Sequence, residues 1–151
     1  MRGDIALFLG LVAVIGGGIV VAVVLLLGGG DGDTGTCDTA LLPLGTSDIS
    51  QLGFQTEDAG LAQVASAAAS GDLAAAELAF YGDVHGFTHN VDPPLRQVDE
   101  EMAKELCEQV IRIEEELAFD RRVDIVAALA ASIREILQDT AEALGYARPG
   151  G

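Results

Sequence analysis

The sequence predicts an all-α protein, with one N-terminal transmembrane helix followed by an extracytoplasmic antiparallel helical bundle of about four helices. Three observations lead to this fold class. Residues 5–27 carry no charge and no strongly polar side chain. From residue 54 onward, apolar residues recur at the three- and four-residue spacing of amphipathic helices. No segment alternates apolar and polar residues as a half-buried strand does.

The apolar run from Ile5 to Leu27 predicts a membrane anchor. A helix of 23 residues reaches about 35 Å, enough to cross a hydrocarbon core of about 30 Å. The run is too long for a cleavable signal peptide, and three glycines follow it in place of an Ala-x-Ala cleavage site. Cys37 follows the run too distantly for a lipoprotein signal. We therefore interpret residues 5–27 as an uncleaved signal anchor.

The distribution of basic residues predicts the orientation of this anchor. Arg2 precedes the span, and no Lys or Arg follows it until Arg96. Because cytoplasmic flanks carry the excess of Lys and Arg, residues 1–4 are expected in the cytoplasm and residues 28–151 outside it. The predicted location is the cell membrane, in a single-pass arrangement.

Small residues share one face of the predicted membrane helix. They are spaced by four, three and four positions: Ala6, Gly10, Ala13 and Gly17. Membrane helices associate through such small-residue faces, so the pattern predicts a protein partner or self-association through the span. The abundance of Gly and Ala throughout the chain offers a compositional explanation of the same pattern.

The net charge of the chain is −16, from 24 acidic residues against eight Lys and Arg. Such a charge argues against nucleic acid as a partner, since that requires a basic surface. It also argues against a domain that lies flat on anionic lipid. Basic protein partners, cations or a high-salt habitat remain compatible with it.

The two cysteines, Cys37 and Cys107, both lie in the part predicted to be exported. Outside the cytoplasm, a cysteine pair favours a disulfide, here one that closes a loop of about 70 residues. An intermolecular bridge through Cys37 and a thiol metal ligand are the alternatives.

The remainder of the exported part divides into a linker, a bundle and a tail. Residues 28–53 are rich in Gly, Asp and Thr and predict a linker, residues 54–146 predict the acidic helical bundle, and residues 147–151 a flexible tail. Gly71-Asp72 predicts a tight junction between the first two helices. A third helix is expected to start at Asp92-Pro93-Pro94, and a break near residues 119–122, with Asp120 as cap, separates the last two helices.

His85 and His89 are four residues apart, so on a helix they point the same way. Asp92 lies on that side too if the helix reaches it. Two imidazoles and a carboxylate offer two or three ligands to a divalent metal. In the alternative, structural interpretation, His85 pairs with a core carboxylate, His89 lies near a helix C-terminus and Asp92 is a helix cap.

No catalytic signature accompanies these residues. The Glu-x-x-His repeats of di-iron bundles and the His-Glu-x-x-His of zinc proteases are absent from the sequence. The first expectation is therefore a non-enzymatic, membrane-anchored interaction domain, such as an accessory subunit of a membrane complex. The alternative is an extracytoplasmic metal-binding module that uses the His-x3-His pair.

Overall fold

The computed structural model describes residues 36–46 and 48–150. Within these residues all regular structure is helical and no strand occurs. In chain order the elements are a 3₁₀ turn (Thr36–Asp38), α1 (Gln51–Ala69), α2 (Leu73–Ala79), a π-helical turn (Phe80–Val84), α3 (His85–Arg96), α4 (Glu100–Glu115), a second π-helical turn (Glu116–Asp120) and α5 (Val123–Ala143). The first π turn joins α2 to α3 and the second extends α4, so the described part contains four helical rods. The predicted all-helical bundle is confirmed.

The predicted transmembrane helix, residues 5–27, and its small-residue face (Ala6, Gly10, Ala13 and Gly17) lie outside the described residues. Among the helices that are described, none combines the length and the apolar character that a membrane span requires.

The first helix begins earlier than the sequence pattern indicates, and part of the predicted linker lies on the folded domain. Helix α1 starts at Gln51 because the Ser50 hydroxyl accepts a hydrogen bond from the Gly53 amide at 3.1 Å. The junction after α1 is as predicted. Gly71 has a φ of +83°, and the Asp72 carboxylate caps α2 by accepting from the Ala75 amide.

The predicted start of the third helix at Asp92 is wrong. Helix α3 continues through Pro93 and Pro94, and α4 begins only after Asp99, whose carboxylate accepts from the Met102 amide at 2.9 Å. A proline inside a helix costs about 3 kcal/mol, because it removes an amide donor and crowds the preceding turn. Here both prolines lie in the last turn of α3, and the burial of Leu95 beyond them offsets that cost.

The predicted break between the last two helices is confirmed, although its cap differs. Arg121 adopts a left-handed conformation with φ of 55°, and α5 starts after Arg122. Asp120 does not cap α5, because it lies at the end of the π-helical turn and its carboxylate accepts from the Arg122 guanidinium at 3.2 Å.

The core lies between the four rods, and burial of one face of the α2–α3 rod defines how that rod is rotated about its own axis. Helix α1 packs against α5 and α2, and α4 packs against α3 and α5. One apolar stripe of the α2–α3 rod is buried at five positions: Ala76, Phe80, Val84, Phe87 and Val91. With that face in the core, the adjoining face of α3 turns toward α4.

Candidate metal centre

Two histidines of α3 and one glutamate of α4 bring their side chains together. His85, His89 and Glu114 each offer one donor atom, and the three atoms lie within 4.8 Å of one another. The Nε2 atom of His85 lies 2.6 Å from Glu114 Oε1, and the Nε2 atom of His89 lies 3.4 Å from the same oxygen. A helical pair at i and i+4 and a carboxylate from the neighbouring helix therefore form one cluster.

The local structure of α3 determines where the two imidazoles point. The π-helical turn Phe80–Val84 directly precedes His85 and adds a residue to the turn, which changes the face that the following residues present. The ring centroids of His85 and His89 are 4.6 Å apart, and the Tyr81 ring packs edge-on to His85 at 5.1 Å. Gly82 and Gly86, on either side of His85, do not break the helical rod. The two histidines therefore point the same way, as predicted.

The electrostatics of the cluster centre on Glu114. Burial alone would raise the pKa of this carboxyl, but hydrogen bonds to His85 and His89 outweigh it and lower the pKa to about 2. For His89, burial opposes the positive charge, while the contacts with Glu114 and with the Leu42 carbonyl raise the pKa above its usual value. The glutamate is therefore ionised at neutral pH and available as an anionic ligand.

The structure does not bring Asp92, the third predicted ligand, into this cluster. The Asp92 side chain is fully buried, and its Oδ2 atom accepts from the Leu41 amide at 2.7 Å and from Arg96 Nε at 3.1 Å. Asp92 thus has a structural role, because its carboxylate links the backbone at Leu41 to Arg96 of α3. Its position in the cluster is taken by Glu114.

The second ring nitrogen of His89 has a defined partner. His89 Nδ1 lies 2.9 Å from the Leu42 carbonyl, which can only accept a hydrogen bond. Nδ1 must therefore carry a proton. The ionised Glu114 can also only accept, so with both hydrogen bonds made the ring is the charged imidazolium, and Nε2 is the nitrogen that loses its proton when a metal binds. Histidines that bind metals are commonly held by such a hydrogen bond to a backbone carbonyl.

A cleft of about 580 Å³ opens beside the cluster, and His85 is part of its wall. Tyr81, Asp83 and Glu57 also line it. Glu57 is 6% exposed, and burial, together with the charge of Asp83, raises the pKa of Glu57 to about 7. Among the described residues, no hydrogen bond or ion pair engages the Glu57 carboxylate. The cluster thus has a solvent-accessible side with an uncommitted acid in the same wall.

The cysteine pair joins the segment before α1 to α4. Cys37 and Cys107 have their sulfur atoms 2.09 Å apart, the distance of a disulfide bond, across a sequence separation of 70. Both residues are buried. Cys107 and Glu114 belong to the same helix and are two turns apart.

Sequence reasoning missed Glu114, because the run Glu114-Glu115-Glu116 resembles an ordinary solvated helix face. A signal was present in the spacing. Glu114 follows Val110 by four residues and precedes Leu117 by three, and both of those residues are buried. A carboxylate at the edge of a buried stripe requires a partner, but the spacing does not identify that partner: Glu114 meets the histidines of α3, whereas the buried Glu116 of the same run pairs with Arg122.

Comparison of the chain with protein-family models, with curated proteins and with solved structures finds no match, so the geometry of the site is the basis for inferring a function.

Proposed function

We propose that the helical domain binds a divalent transition metal, Zn²⁺ in the first instance, through His85, His89 and Glu114. The single observation that carries this proposal is the meeting of three donor atoms within 4.8 Å of one another. Together with the predicted anchor at residues 5–27, it describes a single-pass membrane protein with an extracytoplasmic metal-binding module.

The distances support a zinc-sized ion. Tetrahedral Zn²⁺ binds His nitrogen and carboxylate oxygen at about 2.0–2.2 Å, so its ligand atoms are roughly 3.4 Å apart. The His89–Glu114 separation of 3.4 Å already matches this geometry, while the His85–Glu114 separation of 2.6 Å has to widen by under 1 Å. Side-chain torsions of a partly exposed Glu114 can supply that movement.

The donor set and its surroundings favour an open coordination position. Two histidines and one glutamate leave a fourth position for water, as in three-ligand zinc sites. Because His85 also lines the cleft, that position can face the solvent-filled side. A structural zinc site would instead be closed by a fourth protein ligand.

The experiment is a metal analysis of the full chain, purified in mild detergent and metal-free buffer and then titrated with Zn²⁺. We expect one zinc per chain. His85→Ala, His89→Ala or Glu114→Gln should each weaken binding by more than about 100-fold, since even substitutions behind the ligands cost roughly 10- to 100-fold.

Glu105→Gln is the matched control, because Glu105 is exposed on the same helix, more than two turns from Glu114. Its zinc affinity should equal that of the unsubstituted chain. Absence of stoichiometric zinc from a folded chain, or equal affinity in all four variants, would show that the cluster is only an ion-pair network between α3 and α4.

A second proposal concerns the predicted membrane helix. The small-residue face Ala6, Gly10, Ala13 and Gly17 favours association of this helix with itself or with another membrane helix, so that the chain acts as an interaction subunit. Gly10→Leu and Gly17→Leu should reduce the crosslinked species seen after mild solubilisation. Ile15→Leu, on the opposite face, should not. Migration of the unsubstituted chain as a free monomer would contradict the proposal.

A further inference from the structure

Residues Cys37–Leu44, here called the strap, lie along the polar side of α3. Three side chains of α3 hold its backbone. Asp92 accepts from the Leu41 amide at 2.7 Å, Arg96 donates to the Cys37 carbonyl at 2.9 Å, and Asn90 both accepts from and donates to the backbone of Leu44 at 2.9 and 2.8 Å. The polar residues of α3 are thus matched to a segment that is 46 or more residues away in sequence.

The fourth contact of the strap is with His89 of the candidate metal centre. The Leu42 carbonyl is the hydrogen-bond acceptor for His89 Nδ1, so the strap determines which nitrogen of His89 carries the proton. With Nδ1 holding its proton, Nε2, which faces Glu114, is the nitrogen free to give up its proton and bind the metal. Without the strap, His89 is free to adopt the other tautomer or rotate.

Apart from Leu41, which packs against the core, the side chains of the strap contribute little to its attachment. The Leu42 side chain is 80% exposed, and Leu44 is also exposed. The pair between Asp38 and Lys104 lies on the surface, where ion pairs contribute little. The strong attachment is covalent, from Cys37 in the strap to Cys107 in α4.

We infer that the Cys37–Cys107 disulfide, acting through the strap, positions His89 for metal ligation, so that zinc affinity depends on the thiol–disulfide state of this pair. This inference rests on the proposed metal-binding function. In the reduction step, an external dithiol gives two electrons and two protons. The Cys37–Cys107 bond breaks, two thiols form on the chain, and the dithiol becomes a disulfide.

The test uses the full chain with Cys37→Ala and Cys107→Ala together, because free thiols would themselves bind zinc. We expect zinc affinity to fall by roughly 10- to 100-fold, the usual effect of losing a partner behind a ligating histidine. Asn90→Ala loosens the strap with the disulfide intact and should weaken zinc in the same direction by a smaller factor. Lys104→Ala, which removes only the surface pair, is the control.

A second measurement separates this inference from the proposed function. Nitrogen chemical shifts of the imidazoles in the metal-free chain report the tautomer of His89 directly. At a pH at which the His89 ring is neutral, we expect the Nδ1–H form in the unsubstituted chain, because the hydrogen bond to Leu42 is the shorter of the two, and a mixture in the cysteine and Asn90→Ala variants. If zinc does not bind at all, the proposed function fails, but this tautomer change still supports the positioning role. An unchanged tautomer and unchanged zinc affinity in folded variants overturn it.

Discussion

Glu57 is a buried acid whose protonation connects pH to stability. Burial in the wall of the cleft is the main cause that raises the pKa of Glu57 to about 7, from an ordinary value of 4.5, and Asp83 adds to it. Between these two values the folded protein binds more protons than the unfolded chain. The stabilisation from protonated Glu57 is therefore complete below pH 4.5 and is lost as the pH rises through 7.

Glu57→Gln should remove this pH dependence, because the amide is neutral at every pH. Above pH 7 we expect the variant to unfold with a free energy about 1–2 kcal/mol larger than the unsubstituted chain, after allowance for solvent screening in the cleft. Below pH 4.5 the two should be equal. Urea unfolding across this pH range measures the difference.

Glu135→Gln provides the control, because Glu135 is exposed on α5 and the same substitution there should leave the pH profile unchanged. A Glu57→Gln profile parallel to that of the unsubstituted chain would show that Glu57 is ionised at neutral pH in the folded state.

At the scale of elements, two glycines in helical segments have opposite roles. An added Cβ at Gly53 in α1 would lie 2.3 Å from the Asp48 carbonyl oxygen and 3.0 Å from the Phe87 ring. An added Cβ at Gly82, in the π-helical turn, would meet nothing within 4 Å. Gly53 thus allows the backbone at Asp48, just before α1, to approach the helix closely. Gly82 lies in the wall of the cleft, where a side chain would have free space.

The same substitution at these two positions should change stability in opposite directions. Gly53→Ala should lower the free energy of unfolding by about 1–3 kcal/mol, because backbone atoms have to move apart. Gly82→Ala should raise it by about 0.5–1 kcal/mol, because alanine loses less backbone entropy in a helix. Thermal unfolding of both variants measures this contrast. Destabilisation by Gly82→Ala would indicate that the turn needs glycine for its backbone.

The contact between α1 and α5 shows how polar side chains fix the pairing of elements. Arg134 on α5 donates from Nε and Nη2 to the two oxygens of Asp58 on α1, each at 2.8 Å, and Gln138 donates to Asp58 as well. The hydrogen bond from Arg134 is the largest cause that lowers the pKa of Asp58. This two-point contact defines the rotation of α1 against α5 more narrowly than apolar packing alone.

At the scale of the whole molecule, the disulfide joins the start of the described chain to the middle of the bundle. It closes a loop across 70 positions, which corresponds to about 4 kcal/mol in the chain-entropy model. Cys37→Ala with Cys107→Ala should therefore lower the free energy of unfolding by about 2–4 kcal/mol, with a lower urea midpoint. Equal midpoints for the folded variant and the unsubstituted chain would contradict this expectation.

Local physics explains what the sequence could predict about the fold. Helix periodicity, the Gly71-Asp72 junction and the break before α5 depend on residues within one or two turns of one another. The misplaced start of the third helix is also a local matter. The proline pair indicates a helix start only when nothing else holds the preceding turn, and here Leu95 and the strap contacts of Asp92 stabilise it.

By itself, the sequence determined the helical class, the spacing of His85 and His89 on one face, and the extreme negative charge. The tertiary structure decided which acid joins the histidines. Glu114 is 29 residues from His85, and Leu42 is 47 residues from His89. Contacts over such separations depend on how the rods pack and rotate, which no local pattern encodes. For that reason, Asp92 serves the strap and Glu114 serves the candidate metal centre.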